Sequence, residues 1–414
     1  MNTLQRGGRR TASHLRRVGG IAGILFILAM AGVPAEAQNL HDFVQAALAR
    51  NPDLATLQAR RQTIEAKRYA AETLTPGAPS FGARYVTDQV FRNRNAREAE
   101  IGISTPLWLP GEGTASRRVA EAELARSTVQ GAGFKLKVAA QVRDVLGEFA
   151  LAEAEMRVAE PRLNEARALE ADVARRVKAR EAPETDRLLA RGDRLAAEAD
   201  LAEKRSAREQ SRIDFISLTG LPPVAASLIE ADPPTHPPAD HPRLDDARSA
   251  MEVARASQSL AAIQVRDSPE IGLVARRTRD TGSSVYDHSV GVELRIPFAT
   301  EGRNAPRRAA AAAERTEAAI AFETARREVD AEQLKARSHY ENAIAQRGLN
   351  RDRATALKQQ SALIGAAYRQ GQVSLLEYIR ARVLAAEANA AQARGDLGIA
   401  RARGRLNTAY GIIP

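Results

Sequence analysis

The sequence predicts a mainly α-helical chain with a small β part, built from two copies of one long unit. Three observations carry this expectation. Short matches recur at one fixed spacing, very long stretches are dominated by Ala, Arg and Glu, and four short segments alternate apolar with polar or small residues. Only 4% of the 414 residues are aromatic, a composition suited to long helices that meet through small side chains rather than to a bulky compact core.

The duplication shows as collinear matches offset by 189 or 190 positions. Asn51-Pro52-Asp53-Leu54 answers to His241-Pro242-Arg243-Leu244, Pro79 to Pro269, Arg117-Arg118 to Arg307-Arg308, and Leu195–Ala199 to Leu384–Ala388. The expected organisation is a leader over 1–37, a first repeat over 38–220, a Pro-rich linker over 221–240 and a second repeat over 241–414. The stretch Asp232–Asp240 holds four prolines and is expected to be extended.

The leader is read from Arg6, Arg9, Arg10, Arg16 and Arg17, the apolar run Ile21–Val33, and the small-x-small site Ala35-Glu36-Ala37. That is the pattern of a cleaved secretory signal peptide, with a mature start near Gln38. An apolar run of about 13 residues is too short to span a bilayer as a helix.

Each repeat is expected to open with a helix (about 40–74 and 243–267). Two strands follow (about 79–88 and 99–107; 269–279 and 287–297), then a very long helix (about 114–180 and 303–370) and a second long helix (about 185–218 and 374–409). A helix of about 66 residues reaches on the order of 100 Å, a length suited to a tube or a rod. In the strands, Phe81, Ala83 and Tyr85 oppose Ser80, Gly82 and Arg84, and Ile101 and Ile103 oppose Glu100 and Gly102. In the second repeat Ile271 and Leu273 oppose Glu270 and Gly272, and Val290, Val292 and Leu294 oppose Ser289, Gly291 and Glu293. Such alternation fits transmembrane barrel strands and also fits hairpins lying on a soluble core. In lipid, four strands cannot leave open edges and barrels begin at eight strands. The membrane reading therefore requires more than one copy of the chain.

About +4 of the net charge of +10 lies in the leader, and the rest is spread along helices where Arg and Glu intermix, the pattern of solvated faces. No basic stripe with interleaved aromatics points to nucleic acid. The chain has no cysteine, so disulfides, thiolate metal sites and a lipidated N-terminal Cys are excluded. His41, His236, His241, His288 and His339 are too sparse to suggest a metal site. No phosphate loop or hydrolase motif is present, so neither an enzyme nor a cofactor is expected.

The strand-to-helix junctions are Ser104-Thr-Pro-Leu-Trp-Leu-Pro-Gly111 and Leu294-Arg-Ile-Pro-Phe-Ala-Thr-Glu-Gly302. In both, Gly follows the strand-ending Pro by five residues. With the repeated element order, these junctions resemble the TolC-type outer membrane efflux family over essentially the whole mature chain. With the Arg pairs just beyond, they look most like its branch serving heavy-metal cation RND pumps. The resemblance implies a homotrimer with a twelve-stranded β-barrel in the outer membrane and a helical α-barrel across the periplasm. It also implies partnership with a periplasmic adaptor and an inner-membrane RND-type pump, and passive conduction of what they deliver.

The family's periplasmic mouth maps onto Tyr368–Ala381. Tyr368 and Gly371 stand where the family has Tyr and Gly, and Glu377 takes the place of an acid. Arg380 falls where the family's type member has a pore-ringing Asp, which puts a cation-attracting ring in question. Tyr368, Glu377 and Arg380 are the expected gating residues, with Glu377 and Arg380 forming a charge belt. Independently of any family, Ser374-x-x-Glu377 reads as a capping box and Gly371 as a helix terminator. Glu377 can serve both roles. The alternative is an exported soluble coiled-coil adaptor, though that would present a single helical hairpin flanked by β-rich domains.

Overall fold

In a computed structural model the described residues are 39–90, 94–298 and 301–414. The expected signal peptide lies outside them. Among the described residues seven α-helices and four strands follow one another in the order anticipated, with one extra break. The first helix is two: α1 (Leu40–Arg50) and α2 (Pro52–Glu72). Asn51 closes α1 and caps α2, its side chain accepting from the Asp53 N–H at 2.9 Å, while Pro52 has no N–H with which to continue the preceding helix. An Asn39–Asp42 capping box starts α1.

Strands β1 (Ser80–Thr87) and β2 (Arg97–Pro106) lead into α3 (Glu112–Lys178), 67 residues long. Gly111, with φ +83°, makes the left-handed turn between them. Helix α4 (Glu184–Thr219) returns along α3 and ends at Gly220, φ +74°. The second half of the chain supplies α5 (Pro242–Ile263), β3 (Glu270–Arg279), β4 (Asp287–Arg295), α6 (Glu301–Arg369) and α7 (Leu375–Ala409). At 1.5 Å per residue α3 and α6 each reach about 100 Å.

The four strands form one antiparallel sheet in the order β1-β2-β3-β4, so β1 and β4 are both open edges. Register fixes the rows. Phe81, Ile103, Leu273 and Val292 share one row, and Ala83, Ile101, Ala275 and Val290 the next. These side chains are largely exposed, Val292 at 70% and Val290 at 81%. The opposite face carries Gly82, Gly102, Val274 and Gly291 in one row and Arg84, Glu100, Arg276 and Ser289 in another.

Away from the sheet, α3 packs against α4 and α7, and α6 against α7. Helix α5 bridges α3 and α6. The main core sits midway along α3, where Val138, Val142 and Leu146 meet Phe43 and Val44 of α1, Phe215 of α4 and Leu228. Phe43 and Phe215 meet edge to face at 4.9 Å.

The connection between α4 and α5 does more than span. A 3₁₀ turn (Ala225–Leu228) buries Leu228, and Glu230 then enters a closed pocket with its side chain 9% exposed. Its carboxylate receives Arg143 of α3 twice, at 2.8 and 2.7 Å, and Asn407 of α7 at 3.1 Å. Arg143 also donates to Thr408 Oγ1 and to the Ile412 carbonyl. Beyond this strap, Asp232 pairs with Arg403 at 2.8 Å and Arg337 reaches the Thr235 carbonyl.

Helix α7 ends where α5 begins. Buried His241 caps α5, its Nδ1 accepting from the Arg243 N–H at 3.2 Å, while the Ala409 carbonyl at the end of α7 hydrogen-bonds the same ring. Gly411, φ +75°, makes the close approach possible, because a Cβ there would lie 2.8 Å from Pro242.

Candidate functional site

The two helical hairpins turn at the end of the molecule far from the sheet. Between α3 and α4, Arg180 adopts a left-handed φ of 63° and the Glu181 N–H returns to the Arg176 carbonyl at 2.8 Å. Between α6 and α7, Gly371 has φ +74° and the Gln372 N–H returns to the Ala367 carbonyl at 2.9 Å. This is a glycine-terminated helix end with its orphan carbonyls satisfied.

Helix α7 then starts with a reciprocal cap. Ser374 Oγ accepts from the Glu377 N–H and a Glu377 carboxylate oxygen accepts from the Ser374 N–H, both at 3.2 Å. Glu377 and Arg380 are both exposed, and among the described residues no ion pair joins them. The carboxylate is committed to the cap, which holds it back along the chain rather than toward Arg380.

Tyr368 is not at the surface. It is buried with Leu169 and Val173 of α3, Ala190 of α4 and Leu375 of α7. Its ring stacks on Tyr378 at 5.3 Å, and the Arg176 guanidinium lies 5.3 Å from its centroid. Burial pushes the phenol above its usual pKa, so it stays a neutral donor.

Around this pair the structure collects residues that sequence reasoning missed. Gly365 lets Tyr378 lie flat against α6, since a Cβ there would meet the ring at 2.9 Å. Arg382 lies 5.6 Å from the centroid of the Tyr378 ring, 3.6 Å from Asp193 and 3.5 Å from Glu165. Arg382 and Asp193 are 10% and 9% exposed. Arg382 and Asp193 thus join α7 to α4, while the two tyrosines join α6 and α7 to α3. The cluster fastens one hairpin to the other near their tips. No local motif marks Arg382 or Asp193 in the sequence; only the packing does.

Among the described residues no group of three or more His, Cys, Asp or Glu is placed to hold a metal. His241 is spent on the joint between α5 and α7. Burial, and then the nearby Arg243 charge, hold its pKa below the ordinary histidine value.

No protein-family model matches the chain and no curated protein does. Solved structures do. The chain resembles CusC, described by its transmembrane channel formation, at TM-score 0.76 and 17% identity, over 90% of this chain and 92% of that one. It resembles the outer membrane protein VceC of Vibrio cholerae at TM-score 0.71 and 17% identity, over 90% and 96%. It resembles the open MtrE outer membrane channel of Neisseria gonorrhoeae at TM-score 0.68 and 20% identity, over 90% and 89%. Long paired helical hairpins joined to a four-stranded antiparallel sheet therefore give this chain the fold of these outer membrane proteins.

Proposed function

We propose that the chain is the outer membrane channel of a tripartite efflux system, a passive exit duct for substrates handed over by a periplasmic adaptor and an inner-membrane RND-type pump. One observation carries this reading. An exposed apolar sheet face with two open edges is joined to helices about 100 Å long. In lipid both edges must pair, and three copies closing edge to edge give twelve strands, within the range of known barrels. The same three-fold closure rolls the helices into a tube in the periplasm. Export by a cleaved leader over residues 1–37 and a two-repeat organisation split at 221–240 belong to the same reading.

The hairpin tips then meet at the periplasmic mouth. Tyr368 governs opening from inside the wall, by holding α6 to α3 and α7, while exposed Glu377 and Arg380 face the neighbouring copies. Across a narrow, partly desolvated gap their Coulomb interaction exceeds that in bulk water, so the charge belt forms between chains rather than within one. Purified protein should run as a trimer, stay with membranes through a carbonate wash, and form ion-conducting pores in planar bilayers. A monomer washed off by carbonate would overturn the reading in favour of a soluble exported coiled-coil protein.

A further inference from the structure

The apolar sheet face changes character toward the hairpin turns, at the end farthest from the helices. Above the rows of Ile103 and Ile101 comes a row of Tyr85, Ala99, Arg277 and His288, and above it Thr87, Arg97 and Arg279. Tyr286 joins this edge, its ring 3.8 Å from the Arg277 guanidinium and 4.8 Å from that of Arg279. The strand residues of both rows stand on the same face as Val290 and Val292, because paired residues share a face and alternate residues repeat it, and its ring contacts put Tyr286 beside them.

The arginines on the two faces are treated differently. On the polar face Arg276 meets Glu100 at 2.7 Å and Glu98 at 3.3 Å, and Arg295 lies within 4 Å of Glu270 and Glu293. On the apolar face no strand position carries a carboxylate. Arg97 and Arg279 are direct cross-strand partners, an arrangement that like charges disfavour. Arg279 is occupied by the Asn95 carbonyl and side chain. Among the described residues Arg97 Nε is shielded from water and has no hydrogen-bond partner, and Arg277 has no carboxylate or hydrogen-bond acceptor but the face of the Tyr286 ring. Arg97 and Arg277 are diagonal neighbours, about 7–8 Å apart in such a sheet. Uncompensated guanidiniums with tyrosines beside them, set just beyond an apolar band, are what an interface with anionic headgroups requires.

We propose that Arg97 and Arg277, with Tyr85 and Tyr286, form a docking surface for the phosphorylated headgroups of the lipid leaflet on the far side of the membrane from the helices. This rests on the barrel reading above. The planar guanidinium fork matches a phosphate with two parallel hydrogen bonds, and the tyrosines hold the row at the level of the headgroups. In a trimer the surface repeats three times around the barrel.

Native mass spectrometry of the detergent-purified trimer, titrated with bis-phosphorylated lipid A or its enzymatically dephosphorylated form, tests the proposal. The phosphorylated lipid should bind at least about tenfold more tightly. Arg97→Gln with Arg277→Gln should abolish the preference, Arg277→Gln alone should reduce it, and the paired lysine substitutions should retain part of it. Arg84→Gln, on the polar face, should leave it intact. Equal binding of the two lipids, a preference surviving in the double variant, or displacement of lipid by millimolar inorganic phosphate alone would each overturn the proposal. Flotation with neutral phosphatidylcholine vesicles separates the two levels: a native chain that fails to float refutes the barrel itself, whereas one that floats without headgroup preference refutes only the docking surface.

Discussion

Replacing Glu230 with Ala removes the one carboxylate that meets Arg143 at the middle of the molecule. The Arg143 side chain is 5% exposed and gives Glu230 two hydrogen bonds, at 2.8 and 2.7 Å. Without the carboxylate it keeps only Thr408 Oγ1 and the Ile412 carbonyl, neutral acceptors at 2.9 and 3.2 Å. A buried cation left in that state costs about 3–5 kcal/mol. The strap itself need not come away, because Arg403 still holds the backbone carbonyl of residue 230 at 2.7 Å. The loss is therefore electrostatic, and removing both charges should recover most of it: Arg143→Met combined with Glu230→Leu should lie within about 1–2 kcal/mol of the native protein or above it. Urea unfolding of the detergent-solubilised protein, followed by helical circular dichroism at one fixed protein concentration, measures both variants. A loss below about 1 kcal/mol for Glu230→Ala, the range of exposed pairs, or a double variant as unstable as the single one, would refute the reasoning.

On the sheet, Val292→Asp places a charge on the 70%-exposed apolar face and should cost up to about 2–4 kcal/mol of membrane assembly. Gly291→Asp, where an added Cβ meets nothing within 4 Å, should be milder; the reverse order in a trimer-yield assay would show that the faces are misassigned. At the mouth, Arg380→Ala should raise single-channel conductance and cation preference, while Arg353→Ala on the exposed side of α6 should change neither; unchanged conductance in both Arg380→Ala and Glu377→Ala would dismiss the belt. At the joint between α5 and α7, the folded-state pKa of His241 lies below its unfolded value. The unfolded chain thus takes up the proton first, and stability should fall as pH drops below about 6.5 toward the lowered value. In thermal melts His241→Asn, which can still cap α5, should flatten that acid-side decline.

Much of the architecture was legible because it is periodic or local. Strand alternation named the apolar face, with Val290, Val292 and Leu294 on it, and an uninterrupted helical composition gave α3 and α6 their lengths. Ser374-x-x-Glu377 and Gly371 announced their turn because a cap is decided within four residues. Asn51-Pro52 carried an equally local signal, but it was read as a repeat marker rather than as a helix boundary. What the tertiary structure alone decided is which charges are buried and with whom. Arg143 meets Glu230 across 87 positions, and Arg382 of α7 meets Asp193 of the distant α4. Nothing local separates these two arginines from the other basic residues in a chain with 61 lysines and arginines. The Arg97–Arg277 pair was not legible, since the expected second strand began at about 99, and only the strand register made the two diagonal neighbours. Burial and long-range pairing depend on where distant helices and strands come together, and a one-dimensional pattern fixes the faces of elements without fixing the partners those faces meet.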